Sequence, residues 1–100
     1  MRAAIYDGTW FDLDKAERIH EGTDWDGSNH ISRATGSQWD HQDLYRTASG
    51  KWVRHDWSQR DWVRDSYNLI SAKAAAQWVV VNGRDVPQEL ASLVADLEVA

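Results

Sequence analysis

Asp24-Trp25-Asp26-Gly27-Ser28-Asn29-His30 offers two carboxylates and an imidazole within seven residues, the donor types of a metal site. A calcium loop, however, needs glycine at its sixth position and a glutamate at its twelfth. Here Gly27 stands fourth from Asp24 and no glutamate follows in place, so the segment reads as a turn cluster. The other histidines, His20, His41 and His55, lack the i, i+4 spacing of a helical zinc site. No strained nucleophile turn marks out a serine, and no glycine loop is built to cradle phosphate. No catalytic residue, metal or cofactor is assigned, and the expectation is a protein that is not an enzyme.

Binding chemistry is better represented. The chain of 100 residues carries seven tryptophans: Trp10, Trp25, Trp39, Trp52, Trp57, Trp62 and Trp78. Each can enlarge a thin core or anchor an interface, because indole combines a large apolar area with one N–H donor. Trp62 lies in Ser58-Gln59-Arg60-Asp61-Trp62-Val63-Arg64-Asp65. Arg60 and Arg64 flank it and could stack on its ring. Tryptophan with arginine on a loop is hot-spot composition; the alternative is a plug that closes one end of the core.

Trp52 and Trp57 are five apart in one run of strand-like residues, so they point to opposite faces of a sheet. Val53 and His55 share a face with Trp57, while Arg54 and Asp56 share one with Trp52. The Val53 side is the more apolar, which assigns Trp57 to the interior and Trp52 to the open face, unless a loop covers the second indole. Trp10 and Trp78 are assigned to the core; Trp25 and Trp39 flank an irregular loop and fit either role. The candidate partner-binding set is Trp52, Arg54, Trp57, Arg60, Trp62 and Arg64.

Arg46, Lys51, Arg54, Arg60 and Arg64 interleave with Tyr45, Trp52 and Trp62, a mixture able to stack unpaired bases. Asp40, Asp43, Asp56, Asp61 and Asp65 in the same stretch cancel most of the field, which argues against direct nucleic-acid binding. The net charge of −5 points the same way, since phosphate contacts need clustered Lys and Arg. The acidic surplus sits early: residues 1–27 hold three basic and seven acidic side chains. Of these, Asp12, Asp14, Glu17, Glu21, Asp24 and Asp26 form a candidate acidic surface, able to meet basic partner residues or to imitate phosphates. A charge run is otherwise a solvated face.

Local signals set the elements that must position these groups. Ala3–Tyr6 and Thr9–Phe11 flank Asp7-Gly8, a hairpin signal. Asp12 reads as the N-cap of a helix over Leu13–Glu21 that Gly22 stops. Residues 22–38 are turn-rich, with a short strand near His30–Ala34. Leu44–Thr47 and Trp52–Trp57 make a hairpin around Ala48-Ser49-Gly50-Lys51. Tyr67–Ile70 is a strand. Ser71 caps a helix over Ala72–Asn82 that Gly83 closes. A last helix starts near Asp85 or Val86 with Pro87 in its first turn, and Leu90, Leu93, Val94 and Leu97 form its apolar stripe.

The expected architecture is one α+β domain spanning residues 1–100: an antiparallel sheet of four or five strands with two or three helices on one face. The absence of cysteine fits a reducing compartment. Met1–Asp7 has no apolar run of the signal-peptide kind, and the apolar stretch near Ala74–Val81 is too short to span a bilayer. The expected location is cytoplasmic, with no membrane partner.

Two stretches carry a resemblance. Leu44-Tyr45-Arg46-Thr47-Ala48-Ser49-Gly50-Lys51-Trp52 is similar to a "LYRTxSGxW" hairpin of small proteins from phages, plasmids and integrated elements. Tyr67-Asn68-Leu69-Ile70-Ser71-Ala72 through Trp78, with Asn82, resembles that group's ending, and Tyr6-Asp7-Gly8 with Asp12–Glu17 fits its opening. After Trp52 the chain departs from the pattern: Arg54-His55-Asp56-Trp57-Ser58-Gln59 stands where a glycine-rich stretch is expected. No functional residues carry over. The resemblance implies a mobile-element accessory protein in a host cytoplasm. Its leading class is an anti-CRISPR inhibitor that binds a Cas effector or nuclease. A general host-takeover or antitoxin-like module and a small RNA-binding domain are the rivals.

Overall fold

Leu44 and Tyr45 are chain neighbours, and both are buried, as are Trp52 and Val53 on the facing strand. Neighbours on a strand point to opposite sides, so both faces of this sheet must be covered. The computed structural model, which describes residues Met1–Ala100, shows how. Four antiparallel strands form the central sheet in the order β3-β6-β7-β8: β3 (Glu17–His20), β6 (Asp40–Arg46), β7 (Trp52–Ser58) and β8 (Ser66–Ile70). Helices α1 (Ala72–Asn82) and α2 (Ala91–Asp96) cover one face. A hairpin of β1 (Arg2–Ala4) and β2 (Trp10–Asp12) packs on the other. A third sheet, the hairpin β4 (Thr23–Trp25) and β5 (His30–Ser32), projects beside β6. The α+β reading holds: the central sheet has four antiparallel strands with both α-helices on one face, and the other four strands form two separate hairpins.

Two thin cores result. Leu44 and Trp52 pack with Ala75, Ala76, Trp78, Val79 and Leu90 under the helices. Tyr45 and Val53 pack with Ala3, Ile5 and Phe11 under the N-terminal hairpin. The assignment of Trp52 and Trp57 is therefore reversed. They do lie on opposite faces, but Trp52 is the interior one, 4% exposed, and Trp57 is only half-buried. The Trp52 face looked polar because of Arg54 and Asp56; those two satisfy each other through bonds of 3.0–3.1 Å and leave the indole free to meet α1. Trp10, expected inside, is 57% exposed, because Phe11 takes the inward position of its short strand.

The helix expected over Leu13–Glu21 does not form. Asp12 does act as a cap, with its carboxylate accepting the Asp14 amide at 3.0 Å, but the helix is a single 3₁₀ turn over Leu13–Lys15. Glu17–His20 then runs as β3 along β6. Period-two side chains decide this: Ile19 opposes Leu44 on the helix face, while Arg18 and His20 point the other way. Pairing also satisfies the open edge of β6, which a helix there would leave bare.

At α1 the local signals hold in detail. Ser71 Oγ accepts the Ala74 amide at 3.1 Å, and Gly83 takes a left-handed φ of 61°, with its N–H on the Val79 and Val80 carbonyls. The final segment opens at Pro87 with a 3₁₀ turn over Gln88–Leu90, and Leu90 is fully buried. No helix is long and apolar enough to cross a membrane.

Candidate interaction surface

β6 and β7 pair from Arg46↔Trp52 to Asp40↔Ser58. Continuing that register places Trp39 against Gln59, and the Gln59 amide donates to the Trp39 carbonyl at 2.9 Å. The loop 59–65 then turns back over this end. Trp62 stands on it 80% exposed, so it is no core plug. Trp39, Gln59, Arg60, Asp61 and Trp62 line an open hollow of about 410 Å³. A second hollow of about 260 Å³ shares Trp39 and Gln59 and adds Asn29, His30, Gln38 and His41. Trp25 extends this apolar margin, lying edge-on to His30 at 5.0 Å. Three exposed indoles thus gather at one end of the long hairpin.

Side-chain-capped turns hold the surface in place. Ser58 Oγ donates to Asp40 Oδ1 at 2.8 Å and accepts the Arg60 amide at 3.1 Å. Ser37 Oγ accepts the Trp39 amide at 3.0 Å. Asp26 Oδ1 accepts the Ser28 and Asn29 amides at 2.8 Å, which closes the β4–β5 turn and holds the Asp26 carboxyl below its usual range. That is the turn role of an Asx residue. Indoles presented on ordered turns lose little conformational freedom when they bind.

Of the six candidate contact residues, Arg60 and Trp62 line the hollow and Arg64 shares their loop. Neither arginine stacks on Trp62. Arg60 lies 3.9 Å from Asp40, and the cation–π contact of the molecule is Arg2 over Trp10 at 4.9 Å. Trp52 and Arg54 face the helices; Trp57 faces the other way and stacks on His41 at 4.5 Å, next to the second hollow without lining it. Trp39, Gln59, Trp25 and His30 belong to it and were not selected from sequence. For Trp39 the signal was present, since the hairpin register alone sets it beside Gln59.

The six acidic residues do not form a common surface. Asp12 and Asp14 meet the N-terminal ammonium at 3.0 and 2.5 Å. Glu17 lies 3.7 Å from Arg46, and Asp24 lies 3.5 Å from Arg33. Glu21 is interior: it accepts from Ser32 Oγ at 2.6 Å and from the Gln42 amide at 2.8 Å, and meets His41 Nδ1 at 2.6 Å. The basic residues are equally dispersed. Arg46 is engaged by Glu17 and Glu89, Arg54 by Asp56 and Arg60 by Asp40, so three of the five cationic residues of the hairpin region are paired with carboxylates, which weakens their pull on a phosphate backbone.

One polar row lies on the sheet face away from the helices. His20, Asp43, His55 and Tyr67 are successive cross-strand partners. Asp43 is buried, which raises its carboxyl above the usual range against the opposing pull of His20 and Arg18. Trp57 Nε1 donates to it at 3.0 Å. His55 stacks on Tyr67 at 4.3 Å, and burial pushes the Tyr67 phenol up. No group of three or more His, Asp or Glu converges as a metal cage. No family model, curated protein or solved structure matches this chain.

Proposed function

We propose that this chain is a non-enzymatic protein-binding module that docks through Trp62 and Trp39. The observation that carries the reading is the exposure of Trp62 on a capped loop that shares a hollow with a second indole. Solvating that much aromatic surface is costly, and burying it at a partner recovers the cost. Hot spots take this form: a tryptophan anchor with arginine and amide groups at its rim. Arg60, Gln59 and Arg64 supply that rim.

The resemblance of the Leu44–Trp52 hairpin to mobile-element proteins extends the proposal. The partner is a host protein complex, and the leading candidate is a Cas effector or nuclease that this chain inhibits in the host cytoplasm. Direct nucleic-acid binding is disfavoured by the net charge of −5 and by the pairing of Arg46, Arg54 and Arg60 with carboxylates. The acidic mimic of phosphate is disfavoured by the internal engagement of Glu21, Asp12 and Asp26.

The test is a tagged pull-down from the lysate of a CRISPR-bearing host, with and without nuclease, alongside Trp62→Ala. Stoichiometric, nuclease-resistant capture of a Cas subunit, lost in Trp62→Ala, supports the inhibitor reading. Capture of an unrelated host protein, lost in the same variant, keeps the docking surface and moves the target to host takeover. Capture that vanishes on nuclease treatment overturns the proposal in favour of RNA binding.

A further inference from the structure

The opposite end of the β6–β7 hairpin, roughly 20 Å away at strand rise per residue, holds a different kind of cavity. It measures about 370 Å³ and opens between β2 and the turn that joins β6 to β7. Ile5 and Phe11, both buried, make its apolar floor, and Trp10 and Leu69 stand at its walls. Leu69 is 47% exposed at the edge of β8, so its side chain is left without cover by the fold itself. The turn residues Ala48 and Ser49 are too small to fill the gap between hairpin and sheet. The volume lies in the range of small-molecule pockets, which are apolar with a few placed polar groups.

Its charges are unequal in availability. Two ionic side chains line it, Asp12 and Lys51. Asp12 is taken up by the N-terminal ammonium at 3.0 Å and by the Asp14 amide, which together hold its carboxyl below the usual range. Lys51 makes no ion pair. Its backbone is fixed instead: the Thr47 amide donates to the Lys51 carbonyl at 2.9 Å and the Lys51 amide to Thr47 Oγ1 at 3.0 Å. Ser49 Oγ lies 3.2 Å from the same hydroxyl, so Thr47, Ser49 and a lysine without an ion pair line an apolar hollow.

We infer that this cavity binds a small amphipathic monocarboxylate, with its apolar tail on Ile5, Phe11 and Leu69 and its carboxylate on Lys51 and the Ser49 hydroxyl. The charge complement decides the class. A cationic head would meet an uncompensated ammonium, a dianion would lack a second counter-charge, and a fully apolar ligand would leave Lys51 and the hydroxyls without new partners. Charge-assisted bonds to the carboxylate are the stronger kind. The site is separate from the Trp39–Trp62 surface and does not depend on the protein-binding proposal.

The experiment is a titration of the ¹⁵N-labelled full chain with decanoate below its micellar concentration, followed by amide chemical shifts, with decanol as the uncharged match. Saturable shifts are expected at Thr9–Phe11, Thr47–Lys51 and Leu69, with decanoate binding more tightly than decanol. Lys51→Gln should weaken decanoate at least about tenfold and leave decanol unchanged, Lys51→Arg should retain decanoate binding, and Leu69→Asp should weaken both probes. Lys51 and Leu69 lie outside both buried clusters, so the spectra of the variants should otherwise match the parent. The inference is overturned if no saturable shift appears at these residues, if the shifts centre elsewhere, or if Lys51→Gln binds decanoate as the parent does.

Discussion

Gly22 and Asn82 meet so closely that no larger residue fits at position 22. The Gly22 amide donates to Asn82 Oδ1 at 3.0 Å, and a Cβ on Gly22 would stand 2.1 Å from the Asn82 carbonyl oxygen. Asn82 is itself buried and returns its Nδ2 to the Trp78 carbonyl at 2.8 Å. The pair ties the C-terminus of α1 to the β3–β4 connection, sixty residues earlier in the chain. The clash is with backbone, so relief requires moving α1 or β3. Gly22→Ala should lower stability by about 1–3 kcal/mol, the usual cost of overpacking. Denaturant unfolding monitored by tryptophan fluorescence would register it as a lower midpoint.

Trp52 and Trp62 should behave oppositely on truncation. Trp52→Ala opens a cavity under α1 and should cost about 3–5 kcal/mol of folding stability. Trp62→Ala should change stability by about 0.5 kcal/mol or less, as for other exposed sites. It should weaken partner binding by about 2 kcal/mol or more. Melting curves and partner titrations on the two variants separate these outcomes; a large fall in melting temperature for Trp62→Ala would refute the docking surface.

Asp43 gives the protein a defined pH response. Its carboxyl is raised by burial, only partly offset by His20, Arg18, the Trp57 N–H and His55. The folded chain therefore binds this proton more tightly than the unfolded chain does. The stability it contributes is present below the ordinary carboxylate range and is lost as pH rises through that range to the raised value. Asp43→Asn keeps an acceptor for Trp57 Nε1 and removes the titration. Its stability relative to the parent should rise with pH across that interval and level off above it, as measured by urea midpoints at several pH values.

Glu21 anchors the β4–β5 hairpin to the sheet through Ser32, Gln42 and His41. Glu21→Ala leaves several buried polar groups unpaired and should cost at least about 2 kcal/mol. Because Asn29 and His30 line the second hollow, amide exchange should also accelerate across residues 23–37. Unchanged protection there would show that the hairpin is held by other contacts.

Arg46 reaches across the helix face to Glu89, and to Glu17 at 3.7 Å. These carboxylates are mostly solvated, so the pairs are worth little individually. Glu89→Gln should leave the melting temperature nearly unchanged, with a difference from the parent that shrinks further in high salt.

The chain's local chemistry determined its punctuation. Asp7-Gly8 and Ala48–Lys51 become hairpin turns, Ser71 and Gly83 bound α1, and Asp12 caps a helical turn, because a turn or cap is decided by the residues within it. The α+β class follows from these signals together. Tertiary structure decided which faces are inside. Glu17–His20 is a strand because β6 offers it an edge, and Trp52 is interior because α1 lies on its side. Trp10 is exposed because Phe11 holds the inward position under the N-terminal hairpin. The same dependence governs the candidate surface: Trp62 was selected from its loop composition, whereas Trp25 and His30 reach it only through the β4–β5 hairpin that Glu21 holds in place. Coverage of a face depends on elements remote in sequence, and alternation along a strand specifies that two side chains oppose each other without specifying which of them meets solvent.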